Sequence, residues 1–142
     1  MRVRIWKRGL ADDGGAAAVE FALIGPLFVL LLAGVVVYGG WLWLAQSVQS
    51  VASEAARAAV AGLDHEERRL LAQSEVQEGL SHASRVLDAD HLSTRIISDD
   101  QRVEVVLVYD ASEHPILQLM NLVPGPSRRI ERRAVVLSLI HI

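Results

Sequence analysis

From Phe21 to Ala45 the chain runs 25 residues without a charged side chain. In a helix rising ~1.5 Å per residue, such a run reaches ~37 Å, enough to cross ~30 Å of hydrocarbon with some tilt. A helix in a soluble core seldom needs so long an uncharged stretch. The remainder of a 142-residue chain leaves room for one small domain beside it.

Charge is as unevenly placed as hydrophobicity. Residues 1–15 carry Arg2, Arg4, Lys7 and Arg8 against Asp12 and Asp13, a net charge of +2, while the rest has ten basic and fifteen acidic residues, a net charge of −5. Basic residues on one side of a span predict a cytoplasmic N-terminus and an exported C-terminal part, at the inner or cytoplasmic membrane. The acidic remainder lacks the clustered cations that nucleic acid requires, so no nucleic-acid partner is expected. With no cysteine, the chain has neither disulfides nor thiolate metal sites.

Four segments follow. Residues 1–15 form a short basic leader that ends in the turn-rich "DDGG" and is set apart from the fold. Residues 16–62 read as one helix that leaves the membrane, with Gly25-Pro26 its main interruption and a kink expected at Pro26. Near the far end of the span, Tyr38, Trp41 and Trp43 suit the aromatic belt of a membrane surface. Beyond it, Val48, Val51, Ala52, Ala55, Ala59 and Val60 recur at helical spacing, and so much alanine makes a thin apolar face for close packing.

Residues 63–136 read as a small α+β exported domain. Gly62 stops the first helix, and Asp64 with Glu67 has the spacing of a capping box opening a second helix over His65–Leu87, apolar at Val76, Leu80, Ala83 and Leu87. The period then changes to two. "STRII", the turn-like "SDDQ", "RVEVVLVYD" and "RRIERRAVVL" predict a short antiparallel sheet, with Val103, Val105, Leu107 and Tyr109 inward and Glu104, Val106 and Val108 outward. Pro115 to Val123 is a short apolar segment of a helical turn or two. Residues 137–142, "LSLIHI", are either the apolar end of a strand or a translation of CTGTCTCTTATACACATC, a transposase-adaptor sequence used in DNA library preparation.

Glu20 is the anomaly of the span. An ionised carboxylate in hydrocarbon is costly unless paired, although at the start of a helix the macrodipole and head groups tolerate an acid. Tolerance does not account for the glycines and basic leader that precede it. The basic leader, Gly15, four small or apolar residues, Glu20, Phe21 and the long apolar helix together resemble a type IV prepilin processing site. More narrowly, "GGAAAVEFALIGPLFVLLLAGVVVYGGWLWLAQSVQSVASEAARAAVAG" is similar to the TadE-like family, minor pilins or pseudopilins of the tight adherence (Flp) pilus system. "AAVEFAL" followed by a proline, the "ASEAARAAV" stretch and the downstream "VEVVLVYDASEHPILQL" carry the likeness.

The resemblance implies a prepilin peptidase cutting between Gly15 and Ala16, where glycine lets the backbone approach the catalytic groups. Cleavage before Gly15 would set Glu20 one residue too far along. The new Ala16 ammonium of one subunit would pair with Glu20 of its neighbour, neutralising a buried charge and fixing the axial register. Further implied partners are other pilin or pseudopilin subunits, the inner-membrane assembly platform and membrane lipid. Some members of the family are longer, so an uncleaved leader stays open.

Other candidates are weaker. His65, His82 and His91 with Asp88 and Asp90 match no helical metal-ligand spacing and no calcium loop. Asp99-Asp100 reads as a turn. Arg128, Arg129, Arg132 and Arg133 are either a docking patch for an acidic surface or the charges that protect an edge strand. No nucleophile elbow or phosphate loop is present, so neither an enzyme nor a cofactor is expected. Two alternatives to a pseudopilin remain: an uncleaved single-pass protein whose exported domain binds a ligand or envelope component, and a secreted protein. The second suits the sequence least, because a signal core runs only roughly 7 to 15 residues.

Overall fold

A computed structural model describes residues 13–137. The basic residues of the leader and residues 138–142 of the "LSLIHI" tail lie outside them. The fold is α+β: a long N-terminal helix, further helices and a three-stranded antiparallel sheet.

Helix α1 spans Asp13–Ala59, 47 residues, and includes Pro26 without a break in the helix. It begins ahead of the expected start at Ala16, so Gly14 and Gly15 stand inside its first turns. Arg57 sits in its last turn, where a cation complements the macrodipole. The chain then closes through Gly62, whose N–H donates to the Ala59 carbonyl at 3.1 Å. A Cβ on Gly62 would lie 2.6 Å from the Arg68 backbone nitrogen, so the close approach at this turn requires glycine.

Helix α2, His65–His82, opens as expected. The Asp64 carboxylate accepts from the Glu67 N–H at 2.8 Å, and Glu67 reaches back to accept from the Leu63 N–H at 2.7 Å. It ends at His82, short of the expected Leu87, where the Ala83 N–H closes on the Gly79 carbonyl. Running back against α1, α2 buries Ala72, Val76 and Gly79. Val51 of α1 fills the space where a Gly79 Cβ would meet it at 3.2 Å. The expected solvated face of α2 has one exception: Arg68 is buried, with Nε donating to the Gly62 carbonyl at 3.1 Å and Nη1 to that of Asp99 at 3.4 Å.

After a short 3-10 turn, Ala89–His91, strands β1 (Leu92–Ser98) and β2 (Arg102–Asp110) form a hairpin, and β3 (Arg129–Leu137) returns on the other side of β2. The β1–β2 turn is tied by the Asp99 carboxylate, which accepts from the N–H groups of Gln101 and Arg102. On the inner face Val103, Val105, Leu107 and Tyr109 are all but inaccessible, packed with Ile130 and Ala134 against Leu44, Val48, Ala52 and Ala55 of α1. The alternation expected in β2 is incomplete, because Glu104 and Val106 are buried as well. As the central strand it is flanked on both sides: Arg95 and Arg133 bracket Val106, and Arg133 Nε holds Glu104 Oε1 at 3.0 Å.

Between β2 and β3 lies the short helix α3, Pro115–Gln118, continued by a 3-10 turn at Leu119–Asn121. This segment packs beside α1 at Gly40, where a Cβ would stand 2.3 Å from Ile116 Cγ2.

Candidate functional site

α1 has two unlike halves. None of the residues 15–36 is buried, and these 22 residues extend ~33 Å as helix. Burial starts at Val37 and continues through Leu44, Val48, Val51, Ala55 and Ala59. α1 is long and apolar enough to cross a membrane.

Gly15, Ala16 and Glu20 all lie on the bare half and are exposed. Glu20 stands at i+4 from Ala16, so both occupy one helix face. Among the described residues no cation pairs with Glu20. Pro26 follows on the same half and lacks the N–H that would close on the Ala22 carbonyl, yet the helix carries through. A Gly25 Cβ would make ordinary contact with the Phe21 ring, and nothing lies within 4 Å of one on Gly34 or Gly39.

Two of the aromatic residues also make contacts within the fold. Tyr38 and Trp41 clamp the β2–β3 connection. Tyr38 Oη donates to the Pro124 carbonyl at 3.3 Å and Trp41 Nε1 to that of Ser127 at 2.8 Å. Only Trp43 of the three is exposed without such a bond among the described residues. Arg132 lies 5.7 Å from the Trp41 ring centroid, a cation–π contact. The four arginines therefore divide: Arg132 is taken up by Trp41 and Arg133 by Glu104, while Arg128 and Arg129 are exposed on and next to edge strand β3.

Residues 15–57 match the family model described as TadE-like protein. Over that stretch the chain is similar to the TadE-like family. Nothing matches among curated proteins or solved structures. The TadE-like stretch starts at the residue before the expected cleavage point and covers nearly all of α1, both the bare half and the covered half.

The other sequence candidates stay dispersed. His65 contacts Ser98 and Asp100, with Nε2 3.0 Å from Asp100 Oδ1, and His91 lies 3.8 Å from Glu113. Among the described residues no three His, Cys, Asp or Glu side chains gather where a metal could be held. An open groove of about 490 Å³ passes His91, Asp110, Ser112, Ser127, Arg128 and Arg129. Asp110 there is held below the usual carboxylate range chiefly by the Ser112 hydroxyl, then by the Ser112 N–H.

Proposed function

We propose that the protein is a membrane-anchored TadE-like minor pilin or pseudopilin that takes part in assembling a tight adherence (Flp) type IV pilus, a structure of adhesion and secretion. The observation that carries this reading is the family match beginning at Gly15 on a helix whose residues 15–36 are bare. A helix of that length with no covering element suits lipid and neighbouring helices. In this reading the N-terminus is cytoplasmic, the sheet is exported, and a prepilin peptidase cuts between Gly15 and Ala16. The role is structural, with no catalytic step of its own.

Helical geometry at the junction supports the pair of glycines. A peptidase needs an extended substrate, so the first turn of α1 must unwind; each glycine weakens helix by ~1 kcal/mol relative to alanine. Gly14 and Gly15 therefore lower the cost of opening the helix where the cut falls. Once Ala16 bears a free ammonium, Glu20 of an adjoining subunit gains a cation at hydrocarbon depth, and the pair sets the stagger between helices and holds the subunit to the assembly platform.

The test is the mature N-terminus. Expression with a prepilin peptidase should give a chain starting at Ala16 by mass spectrometry, and expression without it the intact leader. An intact leader in the presence of an active peptidase would overturn the pseudopilin reading and favour the uncleaved single-pass protein.

A further inference from the structure

The segment Pro115–Ser127 contains no charged residue in thirteen. Its apolar side chains divide into two sets. Leu117 is buried, Ile116 sits on Gly40, and Met120 folds over Gly125, where a Cβ would lie 2.6 Å from Met120 Cγ. Those contacts explain how the segment is held. Leu119 and Leu122 face outward, 36% and 61% exposed, and no packing in the fold accounts for them.

Their height on the molecule is fixed by α1. The Tyr38–Pro124 and Trp41–Ser127 hydrogen bonds tie the segment to the first turns of α1 that the domain covers, directly after the bare half. On the uncovered side of α1, Leu42 and Trp43 are exposed about one turn beyond Tyr38. Leu119 and Leu122 thus lie exposed in a segment tied beside the junction of the bare and covered halves of α1. Exposed charge resumes at Arg128 and Arg129, immediately after the segment. Apolar side chains bordered by arginine suit the boundary between acyl chains and lipid head groups.

We propose that Pro115–Ser127 is a second membrane contact: Leu119 and Leu122 rest in the interfacial layer of the bilayer that α1 crosses, with Arg128 and Arg129 at head-group level. This rests on the reading of α1 as a membrane span. Such a seat stops α1 from sliding along its axis. With the interface held at Tyr38, the about 20 residues needed to cross the hydrocarbon reach back to the neighbourhood of Ala17. Glu20 is then kept inside the far edge of the apolar layer, where a partner cation matters.

The absence of cysteine allows single reporters in the full chain. Leu122→Cys, Val29→Cys and Leu70→Cys, each carrying an environment-sensitive fluorophore, are reconstituted at low density in liposomes containing lipids with nitroxide at the head group or deep in the acyl chain. All three positions are exposed in the fold, so the substitutions leave its core intact. The expected result is deep quenching at 29, shallow quenching at 122 several-fold above that at 70, and iodide access at 70. Quenching at 29 with 122 matching 70 would overturn the lipid seat and leave the span standing. Failure of quenching at 29 would overturn the span and the seat together. Protection of 122 from both nitroxide and iodide would overturn the seat in favour of a protein contact.

Discussion

The two halves of α1 are both rich in apolar residues and opposite in circumstance. Val35 and Val36 are exposed, whereas Val37, Leu44 and Val48 are wholly buried. From Gly15 to Val36 no described residue of the helix is buried; after that, the sheet and α2 close over it. In the proposed reading, apolarity serves two solvents along one helix, lipid first and protein core second. A substitution in one half should be felt in assembly, and in the other in folding.

The sharpest way to break that contrast is Glu20→Ala. Processing after Gly15 should persist by mass spectrometry, while assembled pili counted by electron microscopy should be lost; normal pili would remove the pairing argument. Next is Leu107→Ala, at a fully buried site under α1. It should cost about 2–5 kcal/mol, measured by thermal or denaturant unfolding of the full chain in detergent, whereas Leu30→Ala in the bare half should leave that transition in place.

Glycines sharpen the same division on a smaller scale. Gly40→Ala drives a Cβ into Ile116 and should destabilise by about 1–3 kcal/mol. Gly34→Ala meets open space and should leave the unfolding midpoint unchanged or slightly raised. If Gly34→Ala nonetheless impairs pilus assembly, that glycine packs against a neighbouring subunit. Trp41→Phe, which removes the bond to the Ser127 carbonyl and keeps an aromatic ring, should cost about 0.5–1.5 kcal/mol in the same unfolding measurement.

Acid should act least, through two carboxylates of the sheet that packs on the covered half. Asp99 is held below its usual value of 3.8, first by the Gln101 N–H and then by the Arg102 N–H and side chain; Asp110 is lowered by Ser112. A lowered folded pKa means that the folded chain binds fewer protons, so this stabilisation is present above about pH 3.9 and is lost as pH falls through the folded values. Both carboxylates are exposed, so the effect is small. The midpoint should change little from these groups between neutrality and pH 5, and Asp99→Asn should reduce its fall below pH 4.

Much of this was legible because local rules decided it. The capping pair Asp64 and Glu67 and the stop at Gly62 are set by residues close in sequence, and each emerges nearly as the pattern implies, whereas the outward face expected of β2 is covered by its two flanking strands. Where lipid gives way to core was not legible, because Val36 and Val37 are the same residue and only the fold tells them apart. Arg68 escaped for a related reason: its partners are backbone carbonyls at Gly62 and Asp99, which no side-chain pattern announces. Tyr38 and Trp41 suit a membrane edge by type, while their hydrogen bonds depend on a loop more than eighty residues away. At the candidate site, the sequence singled out Gly15, Ala16 and Glu20. The fold adds that they share a bare helix with no described cation near the acid.

The passage of α1 from one half to the other has a mechanical consequence. Pro26 leaves the helix unbroken, and Tyr38 and Trp41, midway along it, bolt it to the sheet's connecting loop. At ~1.5 Å per residue the helix is a shaft of ~70 Å. Force applied along it at the Glu20 end would pass into the sheet by way of these two ties, as thrust and torque.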